Sequence, residues 1–250
     1  MNKTDWVKKC KFWKNKWPLF NNSFIDDKNG INLYYFIEVL NKYMSSVHTI
    51  VCDAGSAIYV PCQNLKIKHG QKFILSGAQA DMGFALPASI GVSLSNKKNI
   101  ILVITGDGSF NTNIQEMATI INLNLPIIVF VWNNGGYLSI RNTQKKFYEG
   151  RIYGTDEQTG LWFPKLKKVA KTYNFKYVKI KNNKDLNKKI SQILKTRKPL
   201  LCEIICKKDQ EIIPNLMLKQ DSKTGKYIQC SLDDMYPFLS QEEHNNEMIN

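Results

Sequence analysis

Short apolar runs alternate with amphipathic segments along most of the chain. The runs are rich in β-branched residues and predict strands at 49–52, 73–75, 101–105, 127–132, 177–180 and 200–206. They are mostly continuous, which is typical of strands buried on both faces of a parallel sheet. Apolar residues at helical spacing predict helices at 31–45, 163–173 and 184–196. This alternation predicts an α/β fold with a mainly parallel sheet of about six strands.

The two ends of the chain depart from this pattern. Residues 1–30 carry aromatic side chains at roughly helical spacing in a lysine-rich stretch, which predicts a short helix that serves as a linker or docking segment. Beyond residue 206 the alternation stops, and 207–250 is predicted to be a C-terminal extension. The expected organisation is therefore a central domain at 31–206 with a segment on either side.

Two predicted strands end in polar turns that contain glycine. The turns are 106–109, with Asp107, and 133–136, with Asn134. The segment between them predicts one helix, because Thr112 and Gln115 have capping-box spacing. A strand, turn, helix, strand, turn unit brings both turns to the carboxyl edge of the sheet, where open α/β sheets bind ligands.

The chemistry of these two turns favours a metal with a bound phosphate. Asp107 offers a carboxylate, Asn134 offers a side-chain carbonyl, and the glycines allow a backbone carbonyl to turn inward. A few hard oxygen ligands suit Mg²⁺, which usually completes its shell with water and substrate phosphates. The backbone N–H groups that open the following helix favour an anion. We therefore expect a site that holds Mg²⁺ and a diphosphate.

Three other stretches add to the predicted site. A turn after the first strand, 53–56, contains Gly55 and Ser56 and suits a phosphate oxygen, although an ordinary helix N-cap would have the same residues. Small residues open a helix predicted from residue 76, so a large group is expected to pack against its backbone. The stretch 137–160 is predicted to be a long loop beside the site.

Composition excludes several classes of function. The net charge is +14, but the lysines are spread through every segment and no nucleic-acid motif occurs, so a lysine-rich surface is favoured over nucleic-acid binding. No apolar run reaches the length of a membrane span, and lysines interrupt the N-terminal region where an export signal would need an apolar stretch. The expected location is the cytoplasm. A nicotinamide-binding domain is not favoured, because a glycine fingerprint after a strand is missing.

The chain resembles the thiamine diphosphate (ThDP) enzymes. Gly-Asp-Gly at 106–108, followed after 24 intervening residues by Asn133-Asn134, is the signature that carries the resemblance. The stretches NNGGYLSIRNTQ and LDDMYPFL are similar to the C-terminal half of acetolactate synthase-like proteins. The resemblance implies a three-layer α/β/α fold of the type that binds the cofactor's diphosphate.

Site residues follow from the resemblance rather than from spacing. Asp107, Asn134 and the backbone carbonyl of Gly136 would hold Mg²⁺. Met82 would be the wedge that bends the cofactor, with its own N–H and the Ala80 carbonyl on the pyrimidine ring. The other residues expected near the cofactor are Gly55, Ser56, Gly106, Gly108, Ser109, Leu138 and Ser139. From their place in the long loop beside the site, the residues expected to face the substrate are Tyr137, Arg141 and Gln144, with Arg141 suited to a carboxylate or a phosphate.

The resemblance also implies that this chain is half of an active site. In the family, a glutamate on a separate pyrimidine-binding domain activates the cofactor, and no segment here resembles that domain. A partner domain or subunit, in an oligomer, is expected to supply it, so no catalytic residue is assigned to this chain. The implied activity is decarboxylation of a small 2-oxo acid followed by carboligation.

Two alternatives to this activity stay open. Acetolactate synthases carry a tryptophan shortly after the metal-binding turn, where this chain has residues 141–144, Arg-Asn-Thr-Gln. A simple 2-oxo acid decarboxylase is therefore one alternative. A non-catalytic protein that only binds ThDP is the other.

Overall fold

Six parallel strands form the sheet of the first of two structural units, Met1–Gln210. The strands are β1 (His48–Cys52), β2 (Lys72–Ile74), β3 (Ile100–Gly106), β4 (Ile127–Asn133), β5 (Lys176–Ile180) and β6 (Leu200–Ile205). Their order across the sheet is β2-β1-β3-β4-β6-β5, and every neighbouring pair is parallel. The predicted parallel six-stranded sheet is confirmed.

Helices cover both faces of this sheet, as the predicted three-layer fold requires. The helices of this unit are α1 (Lys3–Lys16), α2 (Leu33–Tyr43), α3 (Ser56–Asn64), α4 (Ala85–Ser95), α5 (Asp107–Thr112), α6 (Glu116–Asn122), α7 (Leu138–Phe147), α8 (Leu166–Thr172) and α9 (Asn183–Ile193), with short 3₁₀ turns at Asn22–Ile25 and Glu157–Thr159. Successive strand residues point to opposite faces, so Val129 and Val131 pack toward α4, α6 and α8, while Phe130 and Trp132 meet Phe36 of α2 on the other side.

The computed structural model describes residues 2–25, 28–220 and 224–248. The second unit, Glu211–Asn250, contains a two-stranded antiparallel hairpin, β7 (Leu218–Gln220) and β8 (Tyr227–Gln229), and the helix α10 (Gln241–Glu247). The predicted segments 1–30 and 207–250 both include residues outside the described ranges. Among the described residues, no helix is long and apolar enough to cross a membrane.

The N-terminal segment does form the predicted helix. Asn2 caps α1 by accepting a hydrogen bond from the Asp5 N–H at 2.9 Å. No residue of α1 is buried, and Trp6 and Phe12 are about half exposed, at 47% and 49%. The segment's role as a linker or docking element, and the domain boundaries at 30 and 206, stay predictions.

Three local predictions were wrong. The single helix expected between the two glycine turns is two short helices, α5 and α6, because the side chain of Asn113 leaves the helical path to donate to the Gly83 carbonyl at 2.9 Å. Gln115 makes no capping bond, so the capping box does not form. The loop expected at 137–160 begins with ten helical residues, α7, although its Ile140 and Phe147 are exposed, so it lacks the buried apolar stripe that marks a helix in sequence.

The third difference is the start of α4. The chain makes turns from residue 76 to residue 84, and the helix begins only at Ala85. Ala80 and Gly83 both have positive φ, +53° and +83°, which a right-handed helix does not allow. The small residues of this stretch therefore serve a tight turn at the sheet edge rather than a helix.

Candidate functional site

A cavity of about 280 Å³ opens at the carboxyl ends of the central strands. The chain runs from β1 outward to β2 and then returns to β3 on the other side of β1, so the strand order reverses between β1 and β3. Such a reversal leaves a crevice in which α/β proteins bind ligands. The structure brings thirteen of the residues predicted for the site to this cavity: Gly55, Ser56, Ala80, Met82, Gly106, Asp107, Gly108, Ser109, Asn134, Gly136, Tyr137, Leu138 and Ser139.

Asp107 lies where the two glycine turns meet. Its Oδ1 accepts a hydrogen bond from the Gly108 N–H at 2.9 Å, and its Oδ2 accepts one from the Gly136 N–H at 3.0 Å. The residue is 6% exposed. Burial raises the pKa of the carboxyl to about 6, even though the backbone N–H groups of both turns act to lower it. A carboxylate held in this way gains from a cation placed beside it.

Asn134 supplies a second oxygen at the same place. Its Oδ1 is buried and has no hydrogen-bond partner among the described residues. A buried acceptor without a partner costs about 1–3 kcal/mol, so such an atom calls for an explanation. Among the described residues, the backbone hydrogen bond that the Gly136 carbonyl accepts comes from the Leu138 N–H and is long, at 3.2 Å. Together the three groups offer a carboxylate, an amide oxygen and a backbone carbonyl, which is a ligand set that fits Mg²⁺.

The raised pKa of Asp107 predicts a pH dependence of stability. In the unfolded chain this carboxyl titrates near its ordinary value of 3.8, and in the folded chain without metal it titrates near 6. The Asp107 carboxyl therefore binds its proton more tightly in the folded state. The stability that this carboxyl contributes to the free energy of unfolding is fully present below pH 4 and is lost as the pH rises through 6. The expected loss is roughly 3 kcal/mol.

Urea unfolding at several pH values checks this expectation. Asp107→Asn should remove the fall in the free energy of unfolding between pH 4 and 6. Mg²⁺ should restore stability at pH 7 in the unmodified chain only. An identical pH profile for the two chains would count against a buried Asp107 carboxylate.

Two helices direct their N-termini at the cavity. Gly55 and Ser56 open α3, while Leu138 and Ser139 open α7. The first N–H groups of a helix have no partner within it and carry partial positive charge, so they favour an anion. Gly55 has φ +63°, a conformation that suits glycine, and a Cβ on it would lie 3.4 Å from the Ser139 hydroxyl. The α3 and α7 termini are thus close enough to act on one anionic group.

The turn that carries Ala80 and Met82 is fixed by a residue that sequence analysis did not single out. Asp53, 2% exposed, follows β1 and accepts hydrogen bonds from the N–H groups of Gly83 at 2.8 Å and Ala85 at 3.1 Å. It also accepts one from the Thr105 hydroxyl at 3.2 Å. The only sequence signal was an aspartate directly after a buried strand. Met82 itself is 42% exposed and lines the cavity, so it is not a core residue.

The second glycine turn rests on another residue that sequence analysis missed. The backbone carbonyl of Thr155 accepts a hydrogen bond from the Tyr137 N–H at 2.9 Å. The same carbonyl lies so close to Gly136 that a Cβ there would be 1.9 Å from it. Residues near 155 therefore form part of the support for the proposed metal ligands. Tyr59, Gln79 and Ile140 also line the cavity and were not predicted to do so.

Arg141 and Gln144 do not line the cavity, contrary to the expectation that they face a substrate. Arg141 is 2% exposed; its Nε donates to the Asp209 carboxylate at 3.0 Å and its Nη2 to the Lys208 carbonyl at 2.5 Å. Gln144 bonds to the backbone N–H and carbonyl of Tyr153, both at 3.0 Å. Both side chains bind other parts of the chain, Arg141 in a buried position and Gln144 near the surface. Tyr137 does line the cavity and packs edge-on against Phe163.

The chain is similar to acetolactate synthases over most of its length. It is 31% identical to the acetolactate synthase large subunit of Cyanidium caldarium, covering 84% of this chain and 34% of that protein. Identity is 28% with the large subunit from Lactococcus lactis (84% and 35%) and 27% with the mitochondrial acetolactate synthase of Schizosaccharomyces pombe (84% and 31%). The chain therefore spans about a third of the length of these relatives.

A family model also matches. Residues 53–204 match the thiamine pyrophosphate enzyme C-terminal TPP-binding domain, a span that runs from Asp53 at the end of β1 into β6. This range contains every element that lines the cavity, and it covers more than half of the chain. The resemblance drawn from the two glycine turns is confirmed. The chain belongs to the thiamine pyrophosphate enzymes, as a C-terminal TPP-binding domain of the acetolactate synthase-like kind.

Proposed function

We propose that this chain is the Mg–ThDP-binding half of an acetolactate synthase-like enzyme that decarboxylates a small 2-oxo acid and joins the remaining fragment to a second carbonyl compound. The observation that carries the proposal is the meeting of a buried carboxylate, Asp107, and a buried amide oxygen without a partner, Asn134, at one cavity. When bound, the cofactor would supply the carbanion chemistry. The chain's own residues would bind and orient it.

The first role of these residues is to hold a metal and a diphosphate. Asp107, Asn134 and the Gly136 carbonyl are assigned to Mg²⁺. The diphosphate is assigned to the helix N-termini at Ser56 and Ser139, supported by their position on the same cavity. The remaining backbone around the diphosphate is assigned to Gly55, Gly106, Gly108, Ser109 and Leu138.

The second role is to orient the pyrimidine ring. The Ala80 carbonyl and the Met82 N–H are assigned to that ring, and the Met82 side chain is assigned to the wedge beneath the bent cofactor. The positive φ of Ala80 and the exposure of Met82 support this, because together they present backbone and side chain to the cavity instead of to the core. Asp53 would keep this turn rigid through its bonds to Gly83 and Ala85.

We assign the opposite wall of the site to a second domain. The rim of the cavity carries Tyr59, Met82 and Ile140, which are 51%, 42% and 47% exposed. A cluster of exposed apolar side chains around a binding site is typical of a surface that another protein surface covers. The relatives are about three times as long as the matched part of this chain, which also supports a pyrimidine-binding domain or subunit that brings the activating glutamate. We place the site in an oligomer for this reason.

The identity of the substrate is the finer part of the proposal. Tyr137 remains assigned to the substrate side, whereas Arg141 is engaged with Asp209 and gives no support to a carboxylate subsite. A 2-oxo acid decarboxylase subunit is the second candidate, favoured by residues 141–144, which lack the tryptophan found in acetolactate synthases. We keep the cytoplasm as the proposed location, although relatives named chloroplastic and mitochondrial exist.

Calorimetry and a turnover assay test the proposal. The full chain should bind ThDP only when Mg²⁺ is present, and alone it should release no CO₂ from pyruvate. Adding a pyrimidine-binding domain of an acetolactate synthase-like enzyme should produce CO₂ release. If CO₂ release is restored without acetolactate, the decarboxylase candidate is correct. Rapid turnover by the chain alone would refute the half-site, and failure of ThDP to bind at millimolar concentration with Mg²⁺ would refute the cofactor assignment.

A further inference from the structure

A buried glutamate lies on the sheet outside the cavity assigned to the cofactor. Glu203, in β6, is 5% exposed and does not line that cavity. Burying a carboxylate costs free energy unless hydrogen-bond donors surround it. Replacing a buried ion pair with apolar side chains is often neutral or stabilising, so a contribution to stability does not by itself explain a glutamate at this position. The hydrogen-bond partners of Glu203 indicate a different role.

Glu203 joins side chains from three neighbouring strands. It lies opposite Lys179 of β5 and Val131 of β4 in the strand registers, and Asn133 follows two residues later on the same face of β4. Its Oε1 accepts hydrogen bonds from Lys179 Nζ at 3.1 Å and from Asn133 Nδ2 at 2.8 Å. Its Oε2 accepts one from the Tyr177 hydroxyl. Donors on both oxygens therefore hold the carboxylate in one orientation.

The bond to Glu203 determines which way the Asn133 amide points. A carboxylate surrounded by donors only accepts hydrogen bonds, so Asn133 turns its NH₂ group toward Glu203 and its Oδ1 away from it. That Oδ1 accepts a hydrogen bond from the Gly135 N–H at 3.2 Å. An asparagine oxygen that accepts from the N–H two residues later closes an Asx turn, which bends the backbone. Glu203 therefore acts, through Asn133, on the bend of the second glycine turn.

Packing restrains one end of this turn more than the other. At Gly136 the Thr155 carbonyl approaches so closely that it leaves no room for a Cβ. Nearer to β4, Asn133 and Gly135 line a cavity of about 640 Å³ that also has Glu203 in its wall. Backbone that borders open space has few contacts and is restrained mainly by its hydrogen bonds. The link from Glu203 through Asn133 to the Gly135 N–H therefore restrains the turn where packing does not.

This turn carries two of the three assigned metal ligands. Asn134 and Gly136 lie within it, and the Gly136 N–H donates to the Asp107 carboxylate at 3.0 Å. Burial raises the pKa of Asp107, and the N–H groups of Gly135 and Asn134 are among the backbone groups that act to lower it. The whole turn is thus directed at this carboxylate. A different bend at Gly135 is expected to move the Asn134 oxygen and the Gly136 carbonyl relative to Asp107.

We propose that Glu203 is a positioning residue for the assigned metal site: through Asn133 it fixes the second glycine turn in the form that presents two oxygen ligands to Mg²⁺. This inference rests on the proposed function, because it requires a metal at that turn. The carboxylate of Glu203 bonds to Asn133 rather than to a ligand, so its effect is indirect. Removing an outer partner that orients metal ligands typically weakens metal binding by about 10- to 100-fold.

Titration of Mg²⁺ into the full chain with excess ThDP, followed by calorimetry, tests this role. Glu203→Gln should weaken Mg²⁺ binding by about 10-fold, because glutamine has one acceptor oxygen for three donors and no longer fixes the Asn133 amide. Glu203→Asp, which keeps the charge but is one methylene shorter, is a second variant and should also weaken it. The matched control is Tyr177→Phe, which removes a hydrogen bond from the oxygen that does not meet Asn133. It should lower stability to urea yet change Mg²⁺ affinity by less than about 2-fold.

A double-variant cycle tests the path through Asn133. Asn133→Ala alone should weaken Mg²⁺ binding by about 10-fold. Adding Glu203→Gln to it should weaken binding by less than about 2-fold more, because side chains that act through one contact are not additive.

Hydrogen exchange of the chain without metal or cofactor gives an independent measurement. The Gly135 and Gly136 amides should exchange at least about 10-fold faster in Glu203→Gln than in the unmodified chain, and Tyr177→Phe should leave them unchanged. Unchanged Mg²⁺ affinity or unchanged exchange in Glu203→Gln, an equal loss of affinity in Tyr177→Phe, or additive effects in the double variant would each overturn the positioning role and leave the proposed function intact. Failure of the unmodified chain to bind Mg²⁺ with ThDP would overturn both.

Discussion

Replacing Asp107 with asparagine is expected to weaken the Mg²⁺-dependent binding of ThDP by at least about 100-fold. Asp107 is the one charged group among the three assigned metal ligands, and its carboxylate is almost fully buried. Loss of that charge leaves two neutral oxygens for a divalent cation. Asparagine has one acceptor oxygen, so it can keep the hydrogen bond from Gly108 or the one from Gly136 but not both. The lost hydrogen bond costs about 1–2 kcal/mol, which is less than the roughly 3 kcal/mol that the buried ionised carboxylate costs at pH 7. Calorimetry with ThDP at fixed Mg²⁺ measures the effect.

The same variant should be more stable than the unmodified chain when no metal is present at pH 7. Burial raises the pKa of Asp107, so its ionised form destabilises the fold without metal. Weaker binding together with higher stability separates a lost ligand from a misfolded protein. Asp185→Asn, in the exposed first turn of α9, is the matched control and should change neither quantity. Unchanged ThDP affinity in Asp107→Asn would rule out the assigned metal site.

Gly136→Ala is expected to lower the free energy of unfolding by about 3 kcal/mol or more. Gly136 has φ +137°, and a Cβ there would lie 1.9 Å from the Thr155 carbonyl oxygen, with further backbone atoms of 155 and 156 within 3.2 Å. Backbone cannot rotate out of the way as a flexible side chain can. The turn and the segment around Thr155 must therefore separate, which also disturbs the hydrogen bond from the Gly136 N–H to the Asp107 carboxylate.

Gly135→Ala provides the comparison for this variant. Gly135 also has positive φ, +74°, but a Cβ on it would meet nothing within 4 Å. Gly135→Ala is therefore expected to lower the free energy of unfolding through backbone strain alone, by about 1–2 kcal/mol. Urea unfolding of both variants, with ThDP binding measured in parallel, checks the difference. Equal stability of the two would show that the close approach of Thr155 does not constrain the turn.

The elements that carry the site could be predicted because their signals are local. Continuous β-branched runs indicate buried parallel strands, and glycine with aspartate or asparagine directly after such a run indicates a turn at the strand end. The chain direction of parallel strands then places Asp107 and Asn134 at the same edge without any knowledge of packing. That reasoning was sufficient for the sheet and for the meeting of the two glycine turns, whereas residues such as Ala80 and Met82 came from the family resemblance.

The helices beside the site were harder to predict, because their limits depend on distant partners. The α4 helix begins at Ala85 instead of near residue 76 because Asp53 accepts hydrogen bonds from the N–H groups of Gly83 and Ala85, which are 30 and 32 positions away in sequence. The α7 helix has exposed apolar residues, Ile140 and Phe147, so its periodicity does not show which side faces the protein. Local propensity is a weak guide where a long-range bond decides the conformation.

Sequence by itself determined the fold class, the family and the meeting of the two glycine turns at one sheet edge, because strand periodicity and turn residues act over a few neighbouring positions. Tertiary structure alone decided which polar atoms have partners. Among the described residues, the Asn134 side-chain oxygen has no hydrogen-bond partner, Arg141 bonds to Asp209, and Glu203 pairs with Lys179. Hydrogen-bond and ion-pair partners that lie far apart in sequence are determined by how the helix and sheet layers pack. The local sequence around each residue does not show that packing.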